Sequence, residues 1–147
     1  EEPVHWENDR AEMAAIKAAR PLPICGGQRE LSFEGPKALM DIDAIDYCNL
    51  HAGYVGGMTP WLKMADLAAQ RGLKVANTGE PQLSLQMMTA FAHGSPIEVY
   101  QQERDPLFYH LVVKPEDIVG GQIQRPLGSG WGYDLDQDYI KDFAVKA

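Results

Sequence analysis

The stretch AGYVGGMTPWLKMADLAAQRGLKV, residues 52–75, reads as a glycine-rich turn, a helix and the start of a strand. Thr59 stands where an N-cap is wanted. Pro60 follows at the first helical position, where its fixed φ suits the helix and its missing N–H is no loss. Leu62, Ala65, Leu67 and Ala68 fall on one face and Gly72 ends the run, after which LKVAN (73–77) has the apolar, β-branched look of a strand.

The same alternation extends outward in both directions. RAEMAAIKAAR (10–20) is built of helix formers and precedes PLPICGG (21–27), an apolar run bounded by proline and glycine. GPKALMDI (35–42) reads as a short helix before the strand AIDYCNL (44–50). LSLQMMTAFAHG (83–94) reads as a helix ending at Gly94, with Met87, Met88 and Phe91 in the core, before the strand PIEVY (96–100). Strands are thus expected near Leu22, Ile45, Leu73 and Ile97, a spacing close to the ~30 residues of a βα unit. Alternating βα units imply a parallel sheet, doubly wound or closed as a barrel. CGGQRELS (25–32) is not the G-x-G-x-x-G phosphate turn, so the dinucleotide-binding alternative loses its main support. In a (β/α)8 barrel the chemistry sits just beyond the strand ends. Each expected strand here is followed by polar candidates: Gln28 and Glu30, Asn49 and His51, Thr78 and Glu80, Glu98, with Glu1 and Glu2 at the start.

Composition bounds the function. The chain has 147 residues, 45% of them hydrophobic, enough for one globular core. Its 21 acidic and 13 basic residues leave a net charge of −8 with no basic run, which argues against a nucleic-acid partner. Cys25 and Cys48 each lie in an apolar run and read as buried free thiols. No stretch of about 18 apolar residues suggests a membrane span, nor is there a signal-peptide pattern, so a cytoplasmic setting is expected. His5, His93 and His110 show no ligand spacing and read as structural.

Several blocks together resemble the second half of an enolase-superfamily barrel, in the mandelate racemase-like branch with its acid-sugar dehydratases. They are EEP (1–3), PICGGQRE (23–30), the 52–75 stretch with its GGMT, TGEPQ (78–82), PIEVYQQERDP (96–106) and the tail IVGGQIQRPLGSGWGYDLD (118–136). The resemblance covers nearly the whole chain. It implies an α/β fold in which 1–147 is the C-terminal part of the barrel domain and 112–147 a return segment toward a cap domain. It also implies that the cap and the first strands lie upstream of Glu1.

In that family three acidic residues, at the ends of the third, fourth and fifth strands, hold magnesium. A hard cation with oxygen ligands stabilises the enediolate left when a base takes the proton beside the substrate carboxylate. By position the resemblance puts Glu1 on the second ligand and Gln28 on the third, with Glu30, two residues on, as an alternative to Gln28. Members with a His–Asp dyad carry Asp after the sixth strand and His after the seventh. Those positions hold His51 and Thr78 here, so His51 is the candidate proton carrier, though with no carboxylate partner evident to set its tautomer. Thr78 has no group that titrates in the working range, and its loss is expected to be nearly silent. Glu98 keeps the eighth-strand position that meets the substrate carboxylate or the enediolate. Asn49, Thr78, Glu80 and Arg104 are candidate substrate contacts. The implied function is a magnesium-dependent acid-sugar dehydratase acting on a small carboxylate, as a homo-oligomer. A degraded barrel that only binds an anionic metabolite or a partner chain, and a racemase or epimerase on the same scaffold, remain as alternatives.

Overall fold

The computed structural model describes residues 1–4, 9–90, 96–113 and 118–145. Three parallel strands form its centre: β1 (Cys25–Gly26), β2 (Tyr47–Leu50) and β3 (Lys74–Asn77), in the order β1-β2-β3. The register sets Gly26 beside Cys48 and Leu50 beside Asn77. The series continues past both edges. Glu2 N donates to Cys25 O at 2.9 Å, and Asn77 pairs in parallel with Ile97. Five neighbouring segments therefore end at one rim, the second half of a (β/α) barrel.

Helices α1 (Asp9–Ala19), α2 (Glu34–Asp41), α3 (Met58–Gln70) and α4 (Pro81–Met88) separate these segments as the periodicity requires. They bury Met13, Leu39, Met40, Trp61, Met64, Met87 and Met88 against Ile45, Cys48, Leu50 and Val75 of the sheet layer. Helix α3 presents Trp61, Met64, Ala65 and Ala68 to this core, with Leu62 and Leu67 only partly buried. Lys17 anchors α1 to the start of β2 through Asp43 Oδ1 at 2.7 Å and Ile45 O at 2.8 Å.

Four boundaries differ from the sequence reading. Helix α3 is capped by Gly57, at φ 104°, a conformation that favours glycine; Thr59 and Pro60 fall inside the first turn, where their amides have no helical partner anyway. Helix α4 starts at Pro81 behind Glu80, which adopts a left-handed φ of 34°. It ends at Met88, with Thr89 as its C-cap, rather than running to Gly94; His5, Phe91 and His93 lie outside the described residues. The strand expected over 96–100 reduces to the single bridge at Ile97, and that over 21–27 to Cys25–Gly26.

The last part folds back over this end. After α5 (Pro106–His110), an antiparallel pair β4 (Ile118–Val119) and β5 (Gln122–Ile123) leads to α6 (Gln137–Phe143), capped by Asp136. Gln86 of α4 ties the segment down by donating to Pro126 O and Trp131 O. His110, exposed, stacks on Tyr139. Among the described residues no helix is long and apolar enough to cross a membrane.

Candidate active site

The residues that follow the strands gather into three small clusters along the rim. In the first, Glu1 Oε1 accepts from Gln28 Nε2 at 2.9 Å and from Asn49 Nδ2 at 2.6 Å. Gly27 makes this possible: its φ of +118° turns the chain, and an added Cβ would stand 3.0 Å from Asn49 O. Neighbouring Glu2 is a brace instead. It accepts from Gly27 N and pairs with Arg29, which also holds Asp9. Glu30 points to α1, where Arg10 Nη2 meets both of its oxygens at 3.1 and 3.0 Å. The fold thus brings Gln28 to Glu1 and engages Glu30 elsewhere.

Asn49 Oδ1 is buried with no hydrogen-bond partner among the described residues. Such an orphaned acceptor beside a carboxylate leaves room for a cation or a donor from a ligand. The donors here are all oxygen or amide groups, which fits a hard cation such as magnesium. Only Glu1 among them is charged, and among the described residues no three His, Cys, Asp or Glu side chains are grouped to hold a metal.

In the second cluster, Thr78 Oγ1 donates to Glu98 Oε2. Thr78, expected as a substrate contact, is buried and turns its hydroxyl to Glu98. Glu98 and Glu1 line one cavity of about 430 Å³ with Cys25, Asn49, Asn77 and Ile97. Burial, and then the nearby charge of Glu1, push the Cys25 thiol up to about 11. Burial pushes Cys48 up to about 12.

The third cluster supplies the partner that His51 lacked in the sequence reading. His51 Nε2 lies 3.4 Å from Glu80 Oε2. The Tyr54 backbone N–H is shared between the His51 carbonyl oxygen at 3.1 Å and Nδ1 at 3.3 Å, an arrangement that suits the tautomer with its proton on Nε2. The imidazole stacks on the Tyr54 ring at 3.8 Å and 9°. Gly79 lies against it: an added Cβ there would meet Nε2 at 2.6 Å. Glu80 also lines a second cavity of about 270 Å³ with Gln82, Tyr100, Arg104, Asp105 and Leu107, which places Arg104 opposite α4.

Two residues behind the rim escaped the sequence reading. Trp61 Nε1 donates to Asn77 Oδ1 at 2.8 Å, and Asn77 Nδ2 donates to Thr78 O and Gly79 O. One buried amide therefore fixes the loop that carries Thr78, Gly79 and Glu80. The signal available was an asparagine at the last position of a strand, directly before T-G-E.

Residues 1–139 match the family described as Enolase C-terminal domain-like. The D-galactarolactone cycloisomerase of Agrobacterium fabrum is 26% identical over 157 residues, covering 99% of this chain and 41% of that protein. A mandelate racemase/muconate lactonizing enzyme from a marine actinobacterium, solved in complex with magnesium, superposes with a TM-score of 0.93 at 32% identity. It covers 98% of this chain and 40% of its own. The L-talarate dehydratase of Polaromonas sp. JS666, complexed with magnesium and L-glucarate, gives 0.87 at 26% identity, covering 98% of this chain and 38% of its own. The chain thus spans about two fifths of these relatives.

Proposed function

The chain belongs to the Enolase C-terminal domain-like family, and from that membership we propose that the whole protein is a magnesium-dependent lyase that dehydrates an acid sugar. The observation that carries the reading is the sharing of one cavity by Glu1 and Glu98, with a histidine–carboxylate pair on the adjoining loops. The similar dehydratase solved with L-glucarate supports the same substrate class.

Each cluster has a part in the reaction. Glu1, with Gln28, would hold the magnesium, and the cation would supply positive charge against the enediolate. Glu30 joins only by leaving Arg10. Glu98, oriented by Thr78, hydrogen-bonds the substrate carboxylate, with Asn49 beside it as a further contact. The His51–Glu80 pair moves the proton at the leaving hydroxyl, and Arg104 meets the far end of the substrate across the second cavity. The partners are a small carboxylate and further copies of the same chain.

Turnover of a set of hexarates and pentonates by the whole protein, followed by release of the 2-keto acid, tests the reading. Glu1 is the single charged group of the Glu1–Gln28 pair, since Glu30 is engaged by Arg10, and this favours a second reading, a barrel that binds an anionic metabolite without converting it. That reading stands if no acid sugar turns over while one of them raises the melting temperature.

A further inference from the structure

We propose that Glu80, not His51, is the residue that exchanges the proton with the substrate's leaving hydroxyl, and that His51 is its positioning residue. This rests on the dehydratase reading and assigns the roles inside the pair. Both imidazole nitrogens already face groups of the protein. Nδ1 shares the Tyr54 N–H, at 3.3 Å, with the His51 carbonyl oxygen at 3.1 Å. Nε2 is turned to Glu80, over a glycine whose missing Cβ makes the space. Tyr54 covers one face of the ring at 3.8 Å. The exposures agree: the His51 side chain is 13% exposed and that of Glu80 45%. Glu80 also borders the open cavity that holds Gln82 and Arg104, whereas His51 does not.

A carboxyl group suits the task, since it both gives and takes a proton and reaches its target through either oxygen. In the elimination the Glu80 O–H bond breaks and its proton joins the β-hydroxyl oxygen. The Cβ–O bond breaks with its electron pair, and water leaves. The pair freed at the α-carbon, when a separate base took its proton, forms the Cα=Cβ bond of an enol, which then becomes the 2-keto acid. The carboxylate left on Glu80 accepts a hydrogen bond from the Nε2–H of His51, which keeps its own proton, and a proton from solvent restores the Glu80 carboxyl. The backbone supports this assignment: Glu80 sits at φ 34°, directly before the proline that begins α4, and Asn77 ties down the two residues that precede it. Its carboxyl is therefore presented from a fixed point.

The experiment uses the whole protein with an acid sugar it turns over, in deuterium oxide, reading α-proton exchange and keto-acid release separately by NMR. Glu80→Gln should lower release by about 10²–10⁴-fold while exchange persists. Glu80→Asp, which keeps the acid on a shorter arm, should fall between the two. His51→Gln, whose amide N–H still donates to Glu80, should keep most of kcat, whereas His51→Leu should lose about tenfold in kcat with KM little changed. Melting temperatures within a few degrees of the parent's establish that the variants fold. The assignment is overturned if Glu80→Gln releases product normally, or if it loses exchange and release together. It is also overturned if both His51 variants abolish release. If the parent protein itself shows neither exchange nor release, the dehydratase reading fails and takes the assignment with it.

Discussion

Replacing Gly79 by alanine should slow proton transfer without replacing a titratable group. The added methyl would stand 2.6 Å from His51 Nε2 and 2.9 Å from Cδ2. Non-bonded heavy atoms rest at about 3.5–4.0 Å, so the ring must retreat by roughly 1 Å. It cannot do so freely, because Tyr54 is stacked on it at 3.8 Å and its own N–H is tied to Nδ1. The 3.4 Å approach to Glu80 is the weakest of these restraints and should give first. His51 acts through Glu80, so displacing its ring should cost no more than removing it, and kcat should fall by up to about tenfold. Alanine at φ +67° adds about 1–2 kcal/mol of backbone strain, visible as a lower melting temperature. Gly53→Ala is the graded control. Its methyl would meet the same ring at 3.2 and 3.3 Å, and its φ is not in the left-handed region, so its effect should be much smaller. Steady-state kinetics, α-proton exchange and a thermal melt are the readouts. A Gly79→Ala protein with unchanged kcat, or one in which Gly53→Ala is the more damaging, refutes the reasoning.

The remaining expectations follow from single contacts. Trp61→Phe leaves Asn77 Oδ1 without its donor in a buried place and should cost about 1–3 kcal/mol in denaturant unfolding; an unchanged midpoint would mean that water replaces the indole. Thr78→Val removes the donor to Glu98 and should lower kcat/KM by about tenfold or more, with Thr78→Ser nearly normal; equal kinetics for both would mean that the Thr78 hydroxyl does not orient Glu98. Gln28→Glu sets a second carboxylate beside Glu1 and should tighten magnesium binding in titration calorimetry about tenfold. No change there, with a large loss in Glu30→Ala, would move the ligand to Glu30. The thiols give a pH dependence. Both are raised, by burial first, so the fold favours their neutral forms. That stability is fully present below the unfolded value of 9.0 and is lost as pH rises toward about 11 and 12. Unfolding free energies at pH 8 and 10.5 check the sign, and alkylation of Cys25 at pH 8 as fast as that of free cysteine would contradict it.

The βα order was legible because it rests on helix periodicity, which survives when strands are as short as Cys25–Gly26. Helix starts were not legible where the backbone is unusual. Gly57 caps α3 through a positive φ, and Glu80 precedes α4 in a left-handed conformation that glutamate seldom adopts. The meeting of Glu1, Gln28 and Asn49 follows from strand ends standing side by side and could be anticipated from order alone. The partner of His51 required the register. With Leu50 beside Asn77, the residue after Leu50 lies against the loop 78–80, and only a glycine at 79 lets the ring close on Glu80. Nothing in composition or spacing encodes that gap.

The exchange of residue types on these two loops has a physical consequence. The resemblance to dyad-bearing relatives would place a carboxylate after β2 and an imidazole after β3. This chain has His51 and Thr78 at those positions and a carboxylate two residues further on, at Glu80. An imidazole and a carboxylate are paired across the same two strands with their order reversed, and the reversal leaves the carboxylate the more exposed member. The residue directly after β2 is held close to the strand end, its ring enclosed by Tyr54, Gly53 and Gly79. The residue before α4 stands further out, on the border of a cavity that also holds Arg104. The inner imidazole has Nδ1 beside the Tyr54 N–H and Nε2 turned to Glu80, while the outer carboxyl is the more exposed of the two. The loss of histidine at position 78 therefore does not by itself remove the means of moving a proton, and Thr78 is free to hold Glu98.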